Sequence, residues 1–185
     1  MALYEDKIEQ ALTYLKSPSK LSPTGNSPIV YITYQPEDVF TVRGLLNTYL
    51  APKVEYYGFT PHYISLNAII DDFITKHEYL DIWTDSSVTE EEMYESIKQE
   101  IARSRCIEKG ILAIQDKYMD GEHPLIVIKD VEMLHPFYMM GVIENAIYNQ
   151  VKIPMLVLYP GENQGTARSF MGVYNQDGNY RSINF

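Results

Sequence analysis

Residues 124–162 have the sequence PLIVIKDVEMLHPFYMMGVIENAIYNQVKIPMLVLYPGE, and this stretch decides the fold class. Two uninterrupted apolar runs, residues 125–128 and 155–159, flank a segment that is long enough to form a helix. Continuous apolar runs are typical of strands that are buried on both faces of a sheet. The stretch therefore predicts a β-strand, a crossover helix and a second strand parallel to the first.

The remainder of the chain extends this unit into a larger α/β arrangement. The run IVYITY at residues 29–34 predicts a first central strand, and residues 62–66 predict a second one. Apolar residues at helical spacing over 3–16 predict an amphipathic helix that covers the sheet or a partner. Residues 170–174 and 180–185 flank a loop with glycine, which predicts a β-hairpin.

We therefore expect one α/β domain over residues 1–185, because a chain of this length can bury a core of its own. The expected architecture has three layers, with helices on both sides of a mostly parallel sheet. The helix at 3–16 precedes a core over 28–160, and a C-terminal hairpin over 168–185 closes the domain.

Local signals predict several helix ends. Thr89 and Glu92 have the spacing of a capping box and predict the start of an acidic helix. Pro52 predicts the end of the helix that starts after the first strand. Gly110 predicts the end of the acidic helix or a bend in it.

Composition disfavours several classes of function. A net charge of -10 opposes a nucleic-acid groove, which needs basic side chains to displace counterions, and suits a basic protein partner or solubility. Cys106 is the only cysteine, so the chain alone can form neither a disulfide nor a structural zinc site. With no signal peptide and no membrane-spanning run in the sequence, we expect a cytoplasmic protein.

The first strand-to-helix turn is where a nucleotide-binding protein would carry its phosphate loop. Such a loop needs glycines whose backbone N–H groups wrap the phosphates, followed by a lysine and a hydroxyl. This turn has the sequence TYQPED, with neither glycine nor lysine. Pro36 removes one amide, and Glu37 and Asp38 occupy the end of the helix that would attract an anion. A working P-loop is excluded at this turn.

Polar residues after the two buried strands are candidates for a metal site or for helix starts. Asp130 and Glu132 follow one strand, and two carboxylates near a strand end can hold a divalent cation. His135 precedes Pro136, a pattern that fits a helix start, and its imidazole could also serve as a ligand or base. The sequence identifies no further ligand, so we predict no metal site and no catalytic residue.

Four motifs in this order resemble the BrxB family, the small component of BREX bacteriophage-exclusion systems. They are PIVYITYQPEDVFTVRGLL, PLIVIKDVEMLHPF, PMLVLYPGENQG and FMGVYNQDGNYRSINF. The positions that carry the resemblance are residues 34–38 with Arg43, residues 135–137, residues 159–162, and Tyr180 with Arg181.

The resemblance implies a non-catalytic role in phage defence, within an assembly of several proteins and without a cofactor. The implied partner is PglZ, the alkaline-phosphatase-like BREX component, together with other BREX subunits, and a homodimer is a further expectation. The implied fold is similar to a P-loop NTPase core that has lost its phosphate loop. Candidate interface residues are Arg43, His135, Phe137, Tyr159, Glu162, Arg168, Tyr180 and Arg181.

Two other functions stay open at this point. A divalent-metal hydrolase or nuclease could use Asp130, Glu132 and Glu162, and a sensor could bind a nucleotide without a P-loop. The chain also carries 16 tyrosines, which either a tyrosine-rich core or a protein interface would explain.

Overall fold

The computed structural model describes residues 2–17, 28–164, 167–173 and 182–185. The α-helices are α1 (Ala2–Leu15), α2 (Val39–Leu45), α3 (Ala51–Tyr56), α4 (Leu66–Thr75), α5 (Leu80–Trp83), α6 (Glu90–Ser104), α7 (Cys106–Tyr118) and α8 (Met140–Ile147). The strands are β1 (Ile29–Tyr34), β2 (Thr60–Ser65), β3 (Pro124–Lys129), β4 (Met155–Pro160), β5 (Asn163–Gln164), β6 (Ala167–Arg168) and β7 (Ile183–Asn184).

Five of these strands form one parallel sheet in the order β2-β3-β4-β1-β7. The predicted strand–helix–strand unit is confirmed, since β3 and β4 are neighbours joined through α8. The antiparallel pair β5-β6 forms a separate small sheet. Because all five main strands run the same way, their carboxyl ends meet at one edge, which we call the carboxyl edge.

The centre of the sheet is the pair β1 and β4, which the sequence predicted from its continuous apolar runs. Both strands are buried along their whole length, and they pair from Ile29 opposite Met155 to Tyr34 opposite Pro160. Each fully buried Val, Ile or Leu contributes about 1.5–3 kcal/mol of transfer free energy. Burial of this pair therefore contributes substantially to the stability of the sheet.

Helices cover both faces of the sheet, which confirms the predicted flanking layers. Val30 and Ile32 of β1 pack against α1, α2 and α3 on one face. Ile29 and Tyr31 face the opposite side, where α4, α6, α7 and α8 pack. This alternation follows from the two-residue repeat of a strand. The likeness to a P-loop NTPase core stays a prediction.

Two predicted helix ends are wrong, while the capping box is confirmed. Thr89 and Glu92 bond reciprocally at the start of α6, as their spacing predicted. The chain stays helical past Pro52. The π-helical turn Leu46–Leu50 precedes it, so Pro52 lies in the first turn of α3, where a missing N–H leaves no α-helical hydrogen bond unmade. Arg105, with φ 54° and ψ 39°, separates α6 from α7.

Gly110 lies inside α7 and neither ends nor bends α6. A Cβ atom at this position would come within 3.0 Å of Ile69 Cδ1, on α4. The missing side chain therefore lets α4 and α7 approach each other closely. The glycine at position 110 is therefore explained by the packing of two helices and not by the end of a helix.

The predicted C-terminal hairpin is not confirmed. Its turn falls within residues 174–181, which lie outside the described residues. The described end of the hairpin, Ile183–Asn184, pairs parallel to β1 and forms an edge of the main sheet. Phe185 extends this contact, since its N–H donates to the Tyr31 carbonyl and its own carbonyl accepts from Thr33 N–H, both at 2.9 Å.

Gly161, directly after β4, is predicted to tolerate no side chain. A Cβ atom there would lie 1.8 Å from the Ser169 carbonyl oxygen, so Gly161→Ala must displace backbone. We expect the free energy of unfolding to fall by at least about 2 kcal/mol, measured by urea denaturation.

Gly44→Ala is the matched control, because a Cβ at Gly44 of α2 meets nothing within 4 Å. Alanine is the better helix former, so this variant should be unchanged or more stable by up to about 1 kcal/mol. Equal stabilities for the two alanine variants would contradict the close approach of Gly161 to Ser169.

Candidate functional site

Helix α1 lies over the first strand-to-helix turn at the carboxyl edge. Tyr4 Oη donates a hydrogen bond to Asp38 Oδ2 at 2.5 Å. Lys7 Nζ donates to the carbonyl oxygen of Thr33 at 2.7 Å and to its Oγ1 at 3.1 Å. Burial lowers the pKa of Lys7 and, as the largest cause, raises that of Tyr4. The end of β1 is therefore closed by the chain's own side chains.

The ends of β1 and β4 are also tied to each other. Gln35 Nε2 donates to Glu162 Oε1 at 2.7 Å, and the N–H of Gly161 donates to the Tyr34 carbonyl at 2.7 Å. A cleft of about 320 Å³ is left between α1 and these strand ends. Small-molecule sites range from roughly 300 to 1,000 Å³, so this cleft is at the lower end of that range.

Arg43 of α2 holds the two carboxylates that the sequence singled out after β3. Its Nη2 lies 2.5 Å from Glu132 Oε1 and 3.2 Å from Asp130 Oδ1. The two carboxylates are largely buried, at 12% and 13% side-chain exposure, whereas the arginine side chain is 45% exposed. Arg43 therefore supplies the positive charge that a metal ion would otherwise bring to this pair.

Three further side chains complete the cluster around Asp130 and Glu132. Ser65 Oγ donates to Asp130 Oδ2 at 2.5 Å, and Lys129 Nζ lies 3.6 Å from the same oxygen. Tyr34 Oη donates to Glu132 Oε2 at 3.4 Å. Burial, followed by the nearby Glu132 carboxylate, raises the pKa of Tyr34 far above its usual range.

The described part of the chain contains no group of three or more His, Cys, Asp or Glu side chains that could hold a metal ion. Glu162, the third carboxylate of the open hydrolase hypothesis, bonds to Gln35 and not to the Arg43 cluster. The geometry brings Asp130 and Glu132 together and joins them through the Arg43 guanidinium.

The remaining predicted interface residues differ in exposure. His135 is exposed, and Phe137 is half-buried with its ring centroid 5.8 Å from that of Tyr94. Glu162 is exposed at the carboxyl edge. Tyr180 and Arg181 lie outside the described residues.

The prediction that Tyr159 and Arg168 belong to an interface is corrected, because both side chains lie in the interior. Tyr159 is 0% exposed and Arg168 is 1% exposed, so neither offers surface to a partner. The Arg168 guanidinium lies 3.2 Å from Glu144 Oε2 and 3.6 Å from the centre of the Tyr31 ring. The positive charge of Arg168 is therefore used inside the fold.

Arg168 also positions the C-terminal strand. Its Nη1 donates to Ser182 Oγ at 2.8 Å and to Asn184 Oδ1 at 2.9 Å. The main-chain pairing of β7 with β1 spans only two residues. Side-chain bonds from a buried arginine therefore supplement a strand contact that would be weak alone.

Arg168→Met is expected to lower the free energy of unfolding by about 3–5 kcal/mol at neutral pH, because it leaves the Glu144 carboxylate buried without its cation. Burial already raises the pKa of Glu144 above its ordinary value of 4.5. The folded variant therefore binds the proton more tightly than the unfolded chain. Its deficit should be smallest below pH 4.5 and should grow as the pH rises.

Denaturation curves of both proteins between pH 4 and pH 8 test this prediction, with Lys98→Met as the control. Lys98 pairs with Glu95 on the exposed surface of α6, so its loss should change stability by less than about 1 kcal/mol. A deficit of Arg168→Met that stays constant across the pH range would contradict the buried ion pair.

Sequence reasoning missed the exposed apolar residues at the carboxyl edge. Leu3 is 63% exposed, Phe40 is 79% exposed and Met133 is 40% exposed. Phe40 belongs to α2 but is not part of the buried stripe that includes Val42 and Leu45. An aromatic residue off the apolar stripe was the signal that could have identified this surface.

The fold and the carboxyl edge define a class: a three-layer α/β protein in which internal contacts occupy the edge where open α/β sheets usually bind ligands. The family model described as "BREX protein BrxB" matches residues 62–185, about two thirds of the chain. The chain therefore belongs to the BrxB family, which implies involvement in BREX phage exclusion.

The match includes the middle of the chain, which the sequence motifs did not cover, and it begins after β1. The motif around Tyr34 and Arg43 consequently lies outside the matched range. No curated protein and no solved structure matches this chain. Within the described ranges, none of the helices is both long enough and apolar enough to span a bilayer.

Proposed function

We propose that this protein is a non-catalytic adaptor of a BREX assembly and that it binds the PglZ-like subunit through the carboxyl edge. One observation carries the proposal. The edge where open α/β sheets bind ligands is filled by Tyr4, Lys7 and Arg43, which contact the chain's own acids and carbonyls.

A nucleotide at this edge would have to break internal contacts. Its phosphates would approach the carboxylates of Asp38, Asp130 and Glu132, and these like charges would repel. Displacing α1 from the turn would also strip Tyr4 and Lys7 of their partners. Each of these hydrogen bonds contributes about 0.5–1.5 kcal/mol net, and those of a charged group contribute more. These costs favour attachment to another protein over binding of a nucleotide.

The surface around the closed edge has the composition of a protein interface. Phe40 and Arg43 are three residues apart on α2 and so lie side by side on one helical face. Met133 is adjacent to Glu132, which Arg43 contacts. Phenylalanine, methionine and arginine are enriched at protein interfaces, and a few such residues usually provide most of the binding energy.

Charge indicates what kind of surface the partner presents. The chain carries a net charge of -10, and the exposed Glu162 stands beside the cleft at the ends of β1 and β4. A basic patch on the PglZ-like subunit would be attracted to this surface and could place one side chain in the cleft. The same proposal includes a homodimer and a cytoplasmic location.

Phe40→Asp tests the proposed surface without disturbing the fold, because this side chain is 79% exposed. Burying a carboxylate in place of an aromatic ring should reduce copurification of the PglZ-like subunit at least about tenfold. The measurement is recovery of that subunit with a tagged chain from cells that express the whole BREX operon.

Tyr56→Asp is the matched control. Tyr56 is an 80% exposed aromatic residue at the far end of the same helical layer, where α3 leads into β2. It should leave recovery of the partner unchanged. Charge reversal at Arg43 is a poorer test, since it would set a third acid against Asp130 and Glu132.

Two results would overturn the adaptor proposal. One is undiminished recovery of the PglZ-like subunit with the Phe40→Asp variant. The other is a rise in melting temperature with ATP and magnesium that Arg43→Ala abolishes, since only binding to the folded state stabilises it.

A further inference from the structure

The outer side of β2 is an open sheet edge. In the main sheet β2 is terminal, and no strand among the described residues pairs with its outer side. Thr60 N–H donates to the His123 carbonyl, on the side of β3. Because backbone groups alternate along a strand, those of Pro61, Tyr63 and Ser65 point outward. Such an edge can bind another strand.

This edge carries only one of the features that usually prevent strand pairing, the proline at position 61. Its sequence, TPHYIS, contains no lysine or other charged residue. Pro61 blocks one outward donor, but the positions of Tyr63 and Ser65 retain theirs. Tyr63 is also 39% exposed. The second half of β2 is thus an unprotected strand of neutral composition.

We propose that a second copy of this chain binds here, with the two β2 strands antiparallel about a twofold axis at Tyr63. In this register Tyr63 exchanges both backbone hydrogen bonds with Tyr63 of the second copy. Pro61 then stands opposite Ser65, which donates to the Pro61 carbonyl. The two tyrosine rings become a cross-strand aromatic pair, a stabilising arrangement in antiparallel sheets.

The charges beside the edge are complementary under the same symmetry. A groove of about 570 Å³ runs along the carboxyl half of β2 and contains Asp72 of α4. At the amino half, the ring of Tyr118 of α7 stacks on the His62 ring with their centroids 3.7 Å apart. Lys117 Nζ lies 4.9 Å from the centroid of the Tyr118 ring. Antiparallel pairing brings one copy's carboxyl half beside the other's amino half. Asp72 of each copy, which pairs with Lys76 of its own helix at 2.5 Å, therefore lies on the side of its neighbour's Lys117.

An extended segment of another protein would use the same backbone groups. A second copy is favoured because the self-pairing register joins aromatic to aromatic and acid to base. The inference supplies the surface for the homodimer within the proposed function and does not depend on the PglZ-like partner.

The first test is the solution mass of the purified chain by sedimentation equilibrium over a range of concentrations. The wild type should form a dimer. Tyr63→Pro removes the outward N–H and the ring, and it leaves the β3 ladder intact because that N–H does not contribute to it. We expect the dissociation constant to rise at least about tenfold. If the proline variant melts early, Tyr63→Lys serves instead, because it keeps the N–H but places a charge on the strand edge that opposes pairing.

Phe40→Asp is the control. Position 40 lies at the carboxyl edge and not on β2, so this variant should remain dimeric. The reciprocal measurement separates the two proposals. Tyr63→Pro should still recover the PglZ-like subunit, and Phe40→Asp should not. Failure of one surface is therefore distinguishable from failure of the other.

A charge exchange tests the register directly. Asp72→Lys and Lys117→Asp should each weaken the dimer severalfold, while the double variant should restore affinity because the pair re-forms with reversed sign. A monomeric wild type would overturn the proposal, as would a dimer insensitive to both Tyr63 variants. A monomeric chain whose edge variants lose a BREX subunit would assign β2 to that partner instead. A double variant no better than the single ones would overturn the register.

Discussion

The contact between α1 and the end of β1 constrains how the rest of the carboxyl edge can be used. Tyr4 bonds to Asp38, and Lys7 bonds to the backbone and side chain of Thr33. These bonds hold an amphipathic helix across the turn where an open α/β sheet would otherwise expose amides to a phosphate. With that position filled from within, the carboxyl edge keeps the geometry of a ligand site but presents a closed polar surface bordered by exposed apolar side chains.

The Arg43 cluster extends this principle to the neighbouring strand. Two carboxylates at the end of β3 would be a reasonable start for a cation site, but an arginine from α2 forms ion pairs with both. The interaction links the α2 layer to the loop after β3. Side chains that are held in place by internal contacts before a partner binds lose less entropy on binding. The proposed adaptor role would benefit from such a surface.

Several features were predictable because their causes are local in sequence. Continuous apolar runs predicted β1, β3 and β4, and the capping box predicted the start of α6. The wrong predictions depended on distant parts of the chain. Gly110 leaves room for Ile69 of another helix. Arg168 is buried because it contacts Glu144 and Tyr31, which are distant from it in sequence. No local pattern reveals which internal carboxylate an arginine contacts, so the sequence named Arg43 only as an interface candidate and did not identify Asp130 and Glu132 as its partners.

The most direct test of the central claim is site-specific photocrosslinking in cells that express the complete BREX operon. With p-benzoylphenylalanine incorporated at position 40, illumination should join the chain to the PglZ-like subunit, while the same amino acid at position 56 should not. The two positions are equally exposed aromatic sites at opposite ends of one layer. A crosslink to that subunit from position 56 alone, or from neither position, would contradict the account of the carboxyl edge as its docking surface.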